Sequence, residues 1–487
     1  MPRGNPFTLG VASGDPNHQG VVLWTRLAPE PMSPGFGMPR RGTAVEWQVS
    51  PSPTFGRVAR SGSVRALPGL AHSVHVEVNG LEPDREWFYR FRWNGHLSPI
   101  GRTRTAPMLG AKVDRFDFAF ASCQNYIDGY FPSYRHMAED DLDLVVFLGD
   151  YVYEGQLPAA GRERSVAIPD VYRRDTDDLR GWRLRYTLYK QDPDLQRAHA
   201  ASPWLVTWDD HEVINDYADE QSQYSPDEIS AMRAAAYQAW YEHQPVRISS
   251  RPTADGGARI HKRLEWGRLA QVDLIDGRQY RDVPPCGWGE APACAAAYDP
   301  GVSMLGAAQE RWLYNGLRRS HAQWDVLASN VMLARLDHDG EDGDRLWHDA
   351  WDGFPAARQR LIGAWRAAGT RNPVVITGDW HSTFVNDIHA DFDRPGSPVV
   401  ATEFVGTSVS SNGDRTPYGP YYGPMVPFNP HIRFFEGDKR GHVRCTVDTE
   451  QFRTDLQMVT TVTRADAPRS TLASFAVQDG TPGAVRL

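Results

Sequence analysis

The sequence predicts a two-part α/β protein, in which a small all-β sandwich precedes a larger part built from alternating strands and helices. Its 487 residues exceed what one hydrophobic core ordinarily serves. Short runs rich in valine and aromatic residues dominate the first part, and after about residue 114 apolar strands alternate with helical patterns instead. These observations predict a first domain at residues 1–110 and a second domain at residues 111–487.

The first domain contains strand-like runs separated by Pro, Gly and Asn turns, as in small antiparallel sandwiches. These runs lie at residues 21–27, 44–49, 72–78 and 86–93. Residues 81–89 resemble the corner before a late strand in fibronectin-type sandwiches, so an immunoglobulin- or fibronectin-like fold is expected. No catalytic cluster occurs in this part of the sequence, which favours a structural or substrate-shielding role.

The second domain shows a βαβ rhythm, which predicts a largely parallel sheet flanked by helices. Apolar strands are predicted at residues 116–122, 142–150, 204–212, 269–280 and 372–381. Helical patterns are present at residues 132–141, 225–243 and 306–320. Parallel strands present their carboxyl ends at one edge of a sheet, which is where such folds place their chemistry.

The charge and hydropathy of the chain exclude several classes of function. A net charge of −9 argues against a nucleic-acid partner bound through its phosphates. If the substrate is itself a phosphate, bound cations would offset the repulsion from the protein. The mean hydropathy is −0.52, and no long apolar run occurs, so no membrane span is expected. The oligomeric state stays open.

Two of the four cysteines, Cys286 and Cys294, lie close together in a loop rich in Gly, Pro and Ala. A short disulfide there is expected and would indicate an oxidising compartment, whereas the alternative is two unpaired thiols. The residues after Met1 lack the apolar core of a signal peptide. If the chain is a mature exported form, its export signal has been removed.

Ligand-type side chains follow several of the predicted strands. They form groups at residues 122–124, 149–154, 209–216 and 378–381. A single group of this kind is more often a turn or a helix N-cap, but groups that follow successive strands in order predict a common site. Asp150, Asp210 and Asp379 would repel one another there, and a cation would hold them together.

The residue types in these groups indicate two kinds of metal site. One offers a thiolate, a phenolate and an imidazole, from Cys123, Tyr153 and His381. These ligands suit Fe³⁺, with Zn²⁺ as the lesser alternative. The other offers the hard oxygens that Ca²⁺, Mg²⁺ or Mn²⁺ prefer, from Asp210, Asn215 and Asp379. Asp150 is the natural bridge between the two sites.

These motifs resemble those of the PhoD-type alkaline phosphatases and phosphodiesterases, a branch of the calcineurin-like metallophosphoesterases. The similar segments cover nearly the whole chain, at residues 5–16, 21–26, 122–124, 149–154, 208–213, 278–281, 378–381 and 429–431. The general patterns DxH, GNH[ED] and GHxH appear here as Ser-Cys, Asp-Asp-His-Glu and Gly-Asp-Trp-His, which is typical of the PhoD branch. The resemblance implies a metallophosphoesterase α/β sandwich, with sheets flanked by helices, in the second domain.

The resemblance also implies roles for individual residues. Fe³⁺ would be held by Cys123, Asp150, Tyr153 and His381. Ca²⁺ would be held by Asp150, by Asp210 or Asn215, and by Asp379. His211 would protonate the leaving group or stabilise charge. Arg278 is a candidate for gripping phosphate oxygens with a bidentate fork, and the alternative is a salt bridge to Asp276 or Asp282.

The predicted activity is metal-dependent hydrolysis of phosphate monoesters and diesters, in which a metal-activated water attacks phosphorus without a covalent enzyme intermediate. The substrate would be a small-molecule or lipid phosphate ester. An alternative is a phosphodiesterase with a phospholipase-D-like preference for diesters. The aromatic stretch at residues 416–435 would influence that choice if it walls the site.

A rival from another class is a secreted binding protein with a purely structural metal site. The open mixture of His211, Glu212 and Asp216 near the ligands argues against it, because structural sites are usually closed by their ligands. Members of the family usually carry a twin-arginine export peptide, so an extracytoplasmic or secreted location is expected.

Overall fold

A computed structural model describes residues 4–33, 35–225, 229–340, 344–394 and 396–487. The early strands are β1 (Val11–Asn17), β2 (Gly20–Arg26), β3 (Thr43–Ser50), β4 (Arg60–Ala66), β5 (Ser73–Asn79), β6 (Glu86–Trp93), β7 (His96–Leu97) and β8 (Gly101–Arg104). The helices are α1 (Pro132–Glu139), α2 (Leu179–Tyr189), α3 (Pro193–Ala201), α4 (Ser230–His243), α5 (Gly306–Leu317), α6 (Pro355–Ala368) and α7 (Gly419–Tyr422).

The later strands belong mainly to two large sheets. The strands up to residue 292 are β9 (Arg115–Ala121), β10 (Leu144–Leu148), β11 (Pro203–Thr207), β12 (Lys262–Trp266), β13 (Ala270–Leu274) and β14 (Glu290–Pro292). They are followed by β15 (Trp324–Ser329), β16 (Arg345–Trp347), β17 (Pro373–Thr377), β18 (Thr383–His389), β19 (Val399–Val405) and β20 (Ile432–Glu436). The last are β21 (Gly441–Asp448), β22 (Gln451–Val459), β23 (Arg469–Gln478) and β24 (Thr481–Arg486).

The ten-stranded sheet has the order β24-β23-β22-β21-β9-β10-β11-β1-β2-β5, and its strands β9, β10, β11 and β1 are parallel. The seven-stranded sheet has the order β12-β13-β15-β17-β19-β18-β20, with β13, β15, β17 and β19 parallel. The parallel strands that the βαβ rhythm predicts are therefore present, but they are divided between two sheets instead of forming one. Antiparallel strands extend both sheets at their edges.

The two large sheets pack face to face between two layers of helices. Apolar side chains from β9, β10, β13, β15 and β17 fill the space between the sheets. A core rich in aromatic residues lies between the ten-stranded sheet and α1–α4, and it contains Trp182, Trp204 and Trp240. A further core lies between the seven-stranded sheet and helices α5 and α6. The chain is thus a mixed α/β protein with several sheets.

The first part of the chain shares a sheet with the second part. β1 pairs in parallel with β11, with Gly14 opposite Trp204, so β1, β2 and β5 continue the ten-stranded sheet. A Cβ at Gly14 would lie 2.3 Å from the Pro245 oxygen, so a glycine permits this close approach. The other early strands form a five-stranded sheet, and an apolar core that includes Leu23 and Trp87 joins them to the large sheet.

The predicted strands of the second part correspond to β9, β10, β11, β13 and β17, and all of these except β9 are shorter than expected because the polar residues after them leave the sheet. Cys286 and Cys294 form the expected disulfide, while Cys123 and Cys445 are buried and free. Within the described ranges, no helix combines the length and apolar character that crossing a membrane requires.

Candidate metal centre

A cleft of about 300 Å³ lies at the carboxyl ends of β10, β11 and β17. Its lining consists of carboxylates, histidines, an amide and aromatic rings, from Asp150, Asp210, His211, Asn215, Asp216, Tyr224, Trp347, Asp379, Trp380, His381, Tyr418 and Tyr422. The strand-end groups therefore meet at one edge, as their order predicted. Tyr418 and Tyr422 come from the aromatic stretch that was considered as a wall of the site.

The backbone turns sharply where the polar groups leave the strands. Cys123, Asp150, Asp379 and His381 have φ values of 59°, 59°, 67° and 50°, in the left-handed region that side chains other than glycine rarely adopt. Gly149, which has φ 103°, precedes Asp150, and a Cβ there would lie 2.4 Å from the Asp209 Cβ. Backbone strain of this kind clusters at functional sites.

Cys123, Asp150 and His381 form the first group of donors. The Cys123 sulfur, one Asp150 oxygen and one His381 nitrogen all lie within 4.8 Å of one another. The Tyr153 hydroxyl donates a hydrogen bond to Asp150 Oδ2 at 2.8 Å, and it lies 2.6 Å from Ser411 Oγ. The structure thus brings together all the residues predicted for the ferric site.

The protonation states in this first group fit a site that a cation completes. Burial, followed by the charge of Asp150, raises the pKa of the Cys123 thiol well above its usual value. Burial lowers the pKa of His381 to about 3, so its ring is neutral. The buried His381 Nε2 has no hydrogen-bond partner among the described residues. A neutral imidazole nitrogen, a thiol and a phenol beside a carboxylate are suitable donors for Fe³⁺ or Zn²⁺.

Three further groups of donors surround Asp210. The groups are Asp150, Asp210 and His211; Asp209, Asp210 and Asp379; and Asp210, Asp216 and Asp349, and in each the donor atoms lie within 4.8 Å of one another. Burial and neighbouring carboxylates raise the pKa of Asp216 to about 8, so ionising these acids together is unfavourable without a cation.

The predicted calcium ligands are present in this region, and the structure adds others. Asn215 lines the cleft, where its Nδ2 donates to the Tyr224 hydroxyl at 3.4 Å. Asp349 was missed as a candidate because it follows the short strand β16 rather than a long apolar strand. Asp209 was noticed only as part of its motif. The only signal for Asp209 in the sequence is its position directly before Asp210, which was predicted as a metal ligand.

Arg278 does not have either role that the sequence predicted for it. Its side chain is fully buried, with Nε 2.5 Å from Asp209 Oδ1 and Nη1 2.7 Å from both oxygens of Asp349. The guanidinium therefore neutralises buried carboxylates rather than gripping a phosphate in the cleft. Only its backbone N–H reaches Asp276, at 3.0 Å, so the predicted salt bridge to Asp276 or Asp282 is wrong.

Arg278 also lies behind the carboxylates of the cleft. Its Nη2 is 3.7 Å from oxygens of Asp210 and Asp379. Arg281 reaches the same buried region, with Nη2 2.5 Å from Asp349 Oδ1. The partners of Arg278 are distant in the sequence, since Asp209 is 69 residues away and Asp349 is 71 residues away. No local pattern could therefore have identified them.

His211 is oriented by a carboxylate at the mouth of the cleft. Its Nδ1 lies 2.7 Å from Glu154 Oε2, and its backbone N–H donates to Asp210 Oδ1 at 3.0 Å. Burial lowers the pKa of His211, but the charges of Glu154, Asp150 and Asp210 outweigh it and raise the pKa well above 6.5. The imidazolium can therefore stabilise an anionic oxygen or give it a proton.

Known proteins share this architecture over its whole length. The family model described as "PhoD-like phosphatase" matches residues 118–456, and that described as "PhoD-like phosphatase, N-terminal domain" matches residues 2–107. The chain is 43% identical to Alkaline phosphatase D of Bacillus subtilis (strain 168). The alignment spans 484 residues and covers 98% of this chain and 82% of that protein. A solved structure described as "Structure of PhoD" has a TM-score of 0.94 and 42% identity, and the match covers 100% of this chain and 92% of the other.

Proposed function

The chain belongs to the PhoD-like phosphatase family and is a phosphoester hydrolase, and we propose that it works through metal ions held in the cleft around Asp150 and Asp210. The observation that carries this proposal is the set of four overlapping donor groups, each of which contains Asp150, Asp210 or both. Buried carboxylates this close together repel strongly unless cations lie between them.

We assign the donors to metals by their chemistry. Cys123, Asp150, Tyr153 and His381 would hold Fe³⁺, with Zn²⁺ as the alternative, because they combine soft and anionic donors. Asp150, Asp379 and either Asp210 or Asn215 would hold Ca²⁺, with Mg²⁺ or Mn²⁺ as alternatives. Such ions polarise phosphoryl oxygens and lower the pKa of a nearby water when they are bound.

The protein side chains supply the remaining steps. His211, held by Glu154, would give its proton to the alkoxide that leaves phosphorus. Arg278 lies behind the carboxylates and offsets part of their charge, which holds them in place. The rings of Trp347, Tyr418 and Tyr422 would contact the organic part of the ester.

The charged side chains that line the cleft also indicate which phosphate esters are suitable substrates. None of its lining residues in the described ranges is a lysine or arginine, so His211 is the only cationic side chain of this lining that can meet a second negative charge on phosphate. This observation favours phosphodiesters, which carry one charge, as substrates alongside monoesters. Lipid head groups and small diesters are both included in this class.

The finer fold and the location of the protein belong to the same proposal. The order of helix, sheet, sheet and helix supports a metallophosphoesterase sandwich as the specific fold. The disulfide between Cys286 and Cys294 supports an extracytoplasmic location, because disulfides persist in oxidising compartments.

The test is metal analysis by mass spectrometry, combined with hydrolysis of paired monoesters and diesters, on the wild type and Asp150→Ala. We expect about one iron with calcium in the wild type, and loss of both metal and turnover in the variant. Asp143→Ala is the matched control, because Asp143 is buried at the opposite end of the same strand and pairs with Arg104 at 2.9 Å.

Each other outcome has a definite meaning. Zinc or manganese alone, with hydrolysis intact, would overturn the assignment of Cys123 and Tyr153 to iron. Full activity of Asp150→Ala would contradict the mechanism. A protein that retains no metal, and that no added metal activates, would refute the proposal, whereas absence of hydrolysis in a metal-replete sample would agree with the binding-protein alternative.

A further inference from the structure

The disulfide loop carries a strand that supports one aromatic wall of the cleft. β14 lies between Cys286 and Cys294 and pairs with β16 in a small two-stranded sheet, where Glu290 is opposite Trp347. Trp347 lines the cleft. The His348 backbone N–H also donates to the Gly289 oxygen at 2.9 Å, which fixes the chain just before Asp349.

The carboxylate of Glu290 also reaches a second aromatic wall of the cleft, which is formed by residues 418–422. Its Oε2 accepts a hydrogen bond from the Tyr421 hydroxyl at 2.9 Å and lies 3.2 Å from His338 Nδ1. Tyr421 packs on Tyr422 with ring centroids 4.8 Å apart, and Tyr422 packs on Tyr418 at 5.6 Å. Both Tyr418 and Tyr422 line the cleft.

Glu290 is further anchored by its own strand partner. Arg345, at the start of β16, forms an ion pair with Glu290 Oε1. His338 is nearly fully buried, at 2% exposure of its side chain, and lies beside Trp380 and Tyr422. One carboxylate thus contacts the strand of Trp347, the segment of Tyr421 and a buried histidine between them.

We propose that Glu290 is a positioning residue that fixes the two aromatic walls of the catalytic cleft relative to each other, and that the Cys286–Cys294 disulfide holds it in place. This inference rests on the proposed function, because it assigns Trp347, Tyr418 and Tyr422 to the organic part of the ester. Glu290 touches neither the donor groups nor the reacting atoms. Its loss therefore weakens substrate binding more than it slows the chemical step.

The test compares Glu290→Ala with Glu290→Gln in steady-state hydrolysis of a phosphate ester. We expect Glu290→Ala to raise KM about 5-fold to 10-fold with kcat within about 2-fold and with unchanged metal content. Glu290→Gln keeps an acceptor for Tyr421 and should restore most of the affinity. Glu310→Ala is the control, since Glu310 also pairs with an arginine, Arg360 at 2.7 Å, but does not line the cleft.

A second variant covers the case in which Glu290→Ala does not fold. Tyr421→Phe removes only the hydroxyl that donates to Glu290, and it should raise KM about 2-fold to 3-fold. Replacing both Cys286 and Cys294 by serine should raise KM in the same direction as Glu290→Ala.

Hydrogen exchange separates this proposal from the proposed function. In Glu290→Ala, amides at residues 345–347 and 418–422 should exchange faster than in the wild type, whether or not a substrate is turned over. Unchanged KM together with unchanged exchange would overturn the inference. Loss of metal and of kcat in Glu290→Ala would also overturn it, because it would show a general structural role. Absence of hydrolysis in the metal-replete wild type would instead refute the proposed function alone.

Discussion

The side chain of Glu212 holds Asp150 in place through the backbone. Glu212 Oε2 accepts the amide N–H of Asp150 at 3.0 Å, and its two oxygens also accept the amides of Tyr151 at 2.6 Å and Asp209 at 2.9 Å. One buried carboxylate therefore joins the turn after β10 to the turn after β11. Both turns carry donors of the metal centre, so their relative position depends on Glu212.

Replacing Glu212 by Gln should damage the metal centre as well as the fold. Gln has one acceptor oxygen, so at least one of the three amides loses its partner, at a cost of about 1–3 kcal/mol in the free energy of unfolding. We expect activity to fall about 10-fold to 100-fold together with metal content. Thermal unfolding, metal analysis and specific activity measure these effects.

Glu403→Gln is the control for this variant. Glu403 is also buried and accepts the amides of Leu333 at 2.6 Å and Ala334 at 3.0 Å, and it is not a member of a donor group. It should lose stability to a similar extent but keep its metals. If both variants kept their metals, the positioning role of Glu212 would be refuted.

Arg278→Met should leave Asp209 without its buried cation, while Asp349 keeps its ion pair with Arg281. Breaking such a pair costs about 3–5 kcal/mol in the free energy of unfolding. Because the same carboxylates border the proposed metal sites, millimolar Ca²⁺ should recover part of the lost stability. Thermal unfolding with and without Ca²⁺ measures this recovery.

Arg263→Met provides the comparison. It removes the cation 2.6 Å from the buried Asp273, which is not a member of a donor group, so Ca²⁺ should not restore its stability. Equal recovery of both variants would mean that Ca²⁺ acts elsewhere on the protein.

His211→Asn should slow the chemical step while the metals stay bound. The variant removes the proton donor that Glu154 orients, which corresponds to a loss of about 100-fold or more in kcat. The loss should be smallest for esters of acidic alcohols, because these leaving groups need no proton. A uniform loss across leaving groups would show that His211 does not act as the acid.

Asp325 provides a test of pH dependence outside the cleft. Burial, with a contribution from the charge of Asp273, raises its pKa from 3.8 to about 7, and Ser320 Oγ donates to its Oδ1 at 2.8 Å. Between these two values the unfolded chain releases the proton and the folded chain keeps it. The free energy of unfolding therefore falls as the pH rises from about 4 to 7. Above about pH 7 the ionisation of Asp325 lowers it no further.

Asp325→Asn removes this cost while it keeps an oxygen for Ser320. We expect the free energy of unfolding at pH 8 to rise by about 2 kcal/mol relative to the wild type, with little change at pH 4. Chemical denaturation at both values of pH measures the difference. A gain of the same size at pH 4 would show that ionisation is not its cause.

The sequence predicted that the candidate metal ligands would converge, because most of them lie directly after an apolar strand. Cys123, Asp150 and Asp379 leave β9, β10 and β17 within two residues, so the strand pattern alone predicts their convergence. Tyr153 and His381 follow in the same turns. The position of Asp349 could not be predicted in this way, because only a short two-stranded sheet precedes it.

Contacts between distant segments were the part that sequence reasoning could not supply. Arg278 contacts Asp209 and Asp349, and nothing in the local pattern around Arg278 indicates either partner. The same limit applies to β1, which was not predicted as a strand, because its residues include Gly, Asp, Pro and Asn and show no alternation, and because its partner β11 lies far along the chain. Periodicity predicts an element and its buried face, whereas register and partners depend on the whole chain.

The pairing of β1 with β11 also constrains how the sequence of this protein can evolve. If residues before about 110 were exchanged for an unrelated module, one side of β11 would become a bare edge, and such edges promote aggregation. Recombination near that point is viable only when the incoming segment supplies a strand that matches β11. We therefore expect the two parts to be inherited together and to accumulate compensating substitutions along their shared border.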